Sequence, residues 1–126
     1  MPREPSLRWY ARAVLFVSDL ERSVGFYVHQ LGFEERWRHQ DAGKVLVAQV
    51  DRQGCELILC SQEPEKTGRG RMFLSLDVDA LRGVRAELEG RGVAVEDGSW
   101  GYPLMVVRDP DGNELYFPYP ADGADE

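Results

Sequence analysis

Residues 99–117, SWGYPLMVVRDPDGNELYF, decide the fold. The run Leu104, Met105, Val106, Val107 reads as a half-buried strand, and Glu114 to Tyr119 resumes as a second strand rich in aromatics. Between them, Asp109-Pro110-Asp111-Gly112-Asn113 is turn chemistry, because Pro110 presets φ and Gly112 accepts a positive φ. The hairpin closes the second half of a chain whose first half follows the same plan.

Working outward, residues 11–18 read as a strand, and Asp19 caps a helix running to about Gln30. Leu20, Val24, Tyr27 and Leu31 give that helix one apolar face, and Gly32 stops it. Strands follow at 33–39, 44–50 and 55–60, separated by turns at Gly43 and at 51–54. The polar stretch SQEPEKTGRGR (61–71) interrupts as a linker or mobile loop. Then the order returns: a strand over 72–78, a helix capped by Asp79 and ending near Arg91, and strands at 93–97, 102–108 and 114–119. Leu81, Val84 and Leu88 form the apolar face of the second helix, and Gly92 stops it. Asp19 and Asp79, Arg22 and Arg82, Val24 and Val84, and Gly32 and Gly92 all lie sixty apart, the register of an internal repeat.

The chain thus reads as α+β, one domain over 1–126 built from two βαβββ modules. Module 1 covers about 8–61, the linker 62–71 and module 2 about 72–119, with a disordered tail at 120–126. A small sheet with one helix leaves its other face bare, so two curved sheets are expected to enclose a cleft.

With 126 residues, 43% apolar and 29% charged, the composition is that of a globular protein with one modest core. A net charge of −7 argues against a nucleic-acid partner, which requires a basic surface. No apolar run reaches the roughly 18 residues of a membrane span. The N-terminal MPREPSLRWY lacks an apolar signal core, so the expected location is cytoplasmic. Cys55 and Cys60 lie five apart on one strand and point to opposite faces, so they read as reduced thiols.

Four segments carry a family resemblance: VSDLERSVGFYVHQLGF (17–33), GCELIL (54–59), DVDALRGVRAELEGRGV (77–93) and WGYPLMVVRDPDGNELYF (100–117). Together they resemble the vicinal-oxygen-chelate superfamily of glyoxalase I, extradiol dioxygenases, fosfomycin-resistance enzymes and bleomycin-resistance proteins. The Trp100-Gly101 pair before VRDPDGN is most similar to the bleomycin-resistance branch. In the superfamily's enzymes four inward side chains, usually His, Glu, His and Glu, hold a divalent metal. Carried over position by position, those ligands fall on Arg12, Glu56, Phe73 (or, one register away, Met72) and Tyr116. Arginine stays protonated, phenylalanine has no donor and neutral tyrosine is a poor ligand, so no metal site and no cofactor are expected. His29 and His39 read as surface residues.

The resemblance places Arg12 beside Glu56 as an ion pair, and Phe73 beside Tyr116 as an aromatic pair. Strand alternation adds Phe16, Trp37 and Tyr102 to the ligand-binding candidates, and Trp100 is chosen because a tryptophan next to glycine on a loop has no evident core duty. Trp9 reads as an edge or subunit contact. No nucleophile motif or phosphate loop is present. The leading expectation is a metal-independent protein that sequesters a planar, aromatic or cationic small molecule such as an antibiotic. The branch commonly builds each cleft from two chains, so the other expected partner is a second copy, as a homodimer. The alternatives are a metal-dependent lyase, isomerase or dioxygenase of the same superfamily, and a structural or regulatory dimer with a vestigial pocket.

Overall fold

The structure, a computed structural model, describes residues 9–119. The expectations of a leader-free N-terminus and a disordered tail therefore fall largely outside the described residues. Two four-stranded sheets form, in the orders β1-β4-β3-β2 and β5-β8-β7-β6. The first contains β1 (Ala13–Phe16), β2 (Glu34–Asp41), β3 (Lys44–Arg52) and β4 (Cys55–Cys60). The second contains β5 (Arg71–Phe73), β6 (Glu96–Ser99), β7 (Pro103–Arg108) and β8 (Glu114–Pro118). In each sheet the first strand runs parallel to the last and the others are antiparallel, as two βαβββ modules require.

Helix α1 (Leu20–Gly25) starts where Asp19 accepts a bond from the Arg22 amide at 3.1 Å. It continues over Phe26–Gln30 in a wider turn, with the Leu31 amide bonded to the Phe26 carbonyl at 3.1 Å. Helix α2 (Val78–Gly90) is capped by Asp77, which accepts from the Ala80 amide at 2.8 Å, and not by Asp79. The two caps are thus 58 apart, whereas the stop glycines Gly32 and Gly92 keep the spacing of sixty. The discrepancy is the length of α2, thirteen residues against six of α-helix and five of wider turn in the first module.

The expected strand over 72–78 ends at Phe73 for a specific reason. The Leu74 amide still bonds the Tyr116 carbonyl at 2.8 Å. The next bond of a parallel ladder needs an amide hydrogen from Pro118, which has none. The strand expected at 93–97 is displaced to Glu96–Ser99 because Val93 closes α2, its amide on the Leu88 carbonyl at 3.0 Å. No helix of the described residues is long and apolar enough to cross a membrane.

Leu15, Ala48, Val50, Leu57 and Leu59 of sheet one and Val17 just after β1 face the helices, as do Met105, Val107, Leu115 and Phe117 of sheet two. With Leu20, Val24, Tyr27, Leu81 and Leu88 they form one continuous core. At ~25 cal/mol per Å² this shared burial is the main stabilising term, and it fixes the halves to each other through their helix sides. The halves meet at two junctions of unlike construction.

At the first junction, the end of β1 meets the β7–β8 turn. Buried Asn113 donates to the Phe16 carbonyl at 3.0 Å and to Asp109 at 2.9 Å, and accepts from the Gly70 amide at 2.8 Å. Asp109 also accepts from the Asp111 and Asn113 amides at 2.9 Å and from the Tyr27 hydroxyl at 3.0 Å. Burial, reinforced by the Asp109 carboxylate, raises the Tyr27 pKa well above its ordinary value. Ser18 Oγ donates to Asp111 at 2.6 Å.

At the second junction the β3–β4 turn meets the segment after β5. Cys55 follows Gly54 (φ +89°) as Asn113 follows Gly112 (φ +94°), but a thiol cannot make the three bonds of the amide. A cavity of about 560 Å³ lies there, walled by Leu31, Phe33, Leu74, Leu76, Val84 and Leu88. Burial, then Asp51, pushes the Cys55 thiol up to about 11, so it is a protonated wall and not a nucleophile. Arg52 clamps one side, donating to the Leu31 carbonyl at 2.7 Å and to both oxygens of Glu87 at 2.9 and 3.0 Å.

Candidate functional site

The faces turned away from the helices carry the candidate residues. Across sheet one, strand pairing sets Val14, Ile58, Gln49 and Trp37 in a single row. Across sheet two the matching row is Phe73, Tyr116, Val106 and Glu96. One step along the same faces, Arg71, Glu114 and Arg108 lie in a row, with Glu56 and Asp51 as the counterparts in sheet one and Arg12 just ahead of β1. The partners of Phe73 and Tyr116 in the first module are therefore Val14 and Ile58. Arg12 and Glu56 instead match Arg71 and Glu114. Arg12 and Glu56 thus lie one step along the face from the positions that match Phe73 and Tyr116, because counting from Asp19 and Gly54 does not fix the parallel register of the strands.

The expected Arg12–Glu56 ion pair is absent among the described residues. Gln49, nearly buried, sits between the two. Its Oε1 accepts from Arg12 Nη1 at 2.8 Å and from the Trp37 indole at 2.9 Å, and its Nε2 donates to Asp51 at 2.8 Å and Glu56 at 3.2 Å. All four hydrogen-bonding positions of the amide are used. Glu56 also accepts from the Tyr10 hydroxyl. The ion pair expected in the first module forms at the matching place in the second, where Arg71 meets Glu114 at 3.0 Å.

Phe73 and Tyr116 do pair, edge to face with centroids 5.5 Å apart. Trp100 joins them, 5.1 Å from Phe73 and 6.4 Å from Tyr116. The Arg71 guanidinium lies over Tyr116 at 4.8 Å and over Trp100 at 5.7 Å. Glu114 holds it there, accepting from Arg71 Nε at 3.1 Å, the Tyr116 hydroxyl at 3.2 Å and Arg108 at 3.4 Å. Burial opposes ionisation of Glu114, yet Arg71, Tyr116 and Arg108 together hold its pKa below the usual value. Met72, the other register for the third position, turns to the core.

The remaining candidates do not gather with these. Phe16 lies under Lys66, 5.3 Å from its ammonium, Tyr102 is exposed, and Trp9 is 99% exposed. Both His29 and His39 are exposed. Sequence reasoning missed Gln49, Tyr10, Arg71 and Glu114; the sixty-residue repeat leads from Arg12 and Glu56 to Met72 and Tyr116, so it does not find the last two. Val14, Ile58 and Phe73 have no metal-donor atom, and among the described residues no group of three or more His, Cys, Asp or Glu is placed to hold a metal. The superfamily's divalent ion does not fit this donor set.

Comparisons with known proteins agree with this architecture. A structure of TnmS3, an antibiotic binding protein from Streptomyces sp. CB03234, is 26% identical with a TM-score of 0.71, over 90% of this chain and 98% of that one. A glyoxalase/bleomycin resistance protein from the same Streptomyces is 30% identical with a TM-score of 0.64, over 86% of this chain and 99% of its own. The bleomycin-binding protein from bleomycin-producing Streptomyces verticillus, complexed with copper(II)-bleomycin, shares the fold at 22% identity and a TM-score of 0.70, over 90% of this chain and 98% of that one. No curated protein matches the chain. The family profile of the glyoxalase/bleomycin resistance protein/dioxygenase superfamily matches residues 9–117, and the chain belongs to that superfamily.

Proposed function

We infer that the protein is a metal-independent binder of small planar molecules, acting by stacking and sequestration, without bond chemistry. The observation that carries this reading is the Phe73–Trp100–Tyr116 cluster, which includes two of the positions onto which the family resemblance carries the enzymes' metal ligands. Flat, partly exposed rings offer a ligand apolar area and defined geometry, and Val14 and Ile58 supply only aliphatic surface on the other module. The likeness to an antibiotic binding protein at 26% identity supports an antibiotic or a metabolite of similar shape.

The functional unit in this reading is a homodimer. Val14, Trp37, Phe73, Trp100 and Tyr102 are between 36% and 54% exposed on the sheet faces of one chain. A second copy that lays its own sheet against them would both cover this apolar surface and turn an open face into a cleft.

Thermal melts of metal-stripped protein against a panel of planar aromatic antibiotics test the reading. At least one compound is expected to raise the melting temperature in the presence of EDTA, since a ligand selective for the native state stabilises it. Stabilisation that appears only with added Ni, Zn, Mn or Fe(II) would transfer the protein to the enzymes of the superfamily. Light scattering is expected to give twice the chain mass.

A further inference from the structure

We propose that Arg71 determines the charge class of the ligand: the aromatic site takes planar molecules with a carboxylate or similar anionic oxygen at one edge, and discriminates against cations. This rests on the binding reading above and, of the planar, aromatic or cationic ligands expected from sequence, sets the cationic ones aside.

Three observations carry it. First, a cation already lies over one face of Tyr116 and one face of Trp100, with the guanidinium carbon 4.8 and 5.7 Å from their centroids. A cationic ligand stacking on the same rings would bring like charge to Arg71 at contact distance, where solvent screens least. Second, the hydrogen-bonding capacity left over is donor capacity. Glu114 accepts from Arg71, Tyr116 and Arg108, so both of its oxygens are engaged. Arg71 has five N–H groups, spends its Nε and Nη2 on Glu114, and keeps the others for an acceptor. Third, the arginine is anchored. Arg108 ties the far oxygen of Glu114 and itself bonds Glu96 at 2.6 Å, so the guanidinium sits in a braced chain of charges. Such a fork matches a carboxylate edge and gains from charge-assisted bonds.

The overall charge of −7 works the other way, favouring cations at long range. At about 0.15 M salt that field fades over about 8 Å, so the groups in contact decide.

The test uses three probes of one shape: 2-naphthoate, 2-naphthamide and 2-naphthylmethylammonium, titrated calorimetrically into the intact protein at pH 7. Naphthoate is expected to bind at least about tenfold more tightly than the ammonium, with the amide between them, the size of effect one charge-assisted bond gives. Arg71→Gln is expected to remove the naphthoate advantage and leave the amide within about twofold. The series on the unaltered protein stands even if that variant folds poorly. An ammonium probe that binds as well as or better than naphthoate overturns the proposal while leaving the stacking reading intact. An Arg71→Gln variant that weakens all three probes equally also overturns it, making Arg71 a packing residue. Failure of all three to bind removes the stacking reading, and this one with it.

Discussion

The two modules share a backbone plan and a core, yet their exposed faces have diverged into different chemistries. In the first, an amide is the centre: Gln49 joins Arg12, Trp37, Asp51 and Glu56, and Ile58 and Val14, which continue its row, are aliphatic. In the second, rings are the centre, and the charges of Arg71, Glu114 and Arg108 serve to set a guanidinium on them. Their junctions differ in the same way. One is sealed by Asn113 and Asp109, and the other is left open around Cys55 and clamped by Arg52 and Glu87. A duplicated unit keeps its helix-facing residues because both copies must bury them together. It is free to change the opposite face, where no partner within the chain constrains it.

The contrast between junctions predicts the largest effect. Asn113→Ala orphans the Gly70 amide and takes one of two donors from the Phe16 carbonyl and one donor from Asp109, and is expected to cost about 3 kcal/mol in urea denaturation. Cys55→Ala, at the matching place, only enlarges an existing cavity and is expected to cost about 1 kcal/mol. Equal losses would show that the two junctions do the same job. Next in size, Gln49→Leu is expected to lose about 2 kcal/mol, because two acidic groups and two donors lose their common partner. The Trp37 indole N–H resonance should shift in the same variant, while the signals of the Trp100 indole stay in place.

Trp100→Ala is expected to weaken a neutral planar probe such as 2-naphthamide by about 1 kcal/mol, and Trp37→Ala by much less. Comparable losses would erase the distinction between an aromatic and a polar face. The smallest effect is a pH dependence of the open junction. The bidentate bond from Arg52 holds Glu87 below the usual carboxylate range. A depressed folded pKa contributes stability above the unfolded value of about 4.3, and that contribution fades as pH falls through it toward the folded one. Since the pair is partly exposed, the expected loss is under about 1 kcal/mol. Arg52→Ala should flatten this part of the stability profile between about pH 5 and 3, and a slope unchanged by that substitution would assign it to other carboxylates.

Local signals made the architecture legible. The 109–113 turn, the helix stops at Gly32 and Gly92, the apolar run of β7 and the alternation of β4 and β8 are written in adjacent residues. What local reading missed depends on register between distant segments. The end of β5 is set by a missing hydrogen on Pro118, a residue of another strand. Gln49 looks like one polar residue in an otherwise apolar strand until pairing brings it against Ile58 and Trp37. A linker drawn over 62–71 hides Arg71, which is the first residue of β5. Asn113 reads as an ordinary turn residue, and only the fold shows that it bonds a carbonyl 97 positions away.

The segment between the modules has a consequence for taking the protein apart. Its latter part is stitched down: the Gly68 amide bonds the Phe16 carbonyl at 3.1 Å, and a side chain at Gly68 would meet the Asp111 carbonyl oxygen at 2.2 Å. Its earlier part is a single exposed turn at Pro64–Lys66. A protease cut after Lys66 should therefore leave two fragments that stay bound, held by the common core. Expressed separately, residues on either side of that point are natural halves for a split reporter, in which reassembly of two pieces restores one signal.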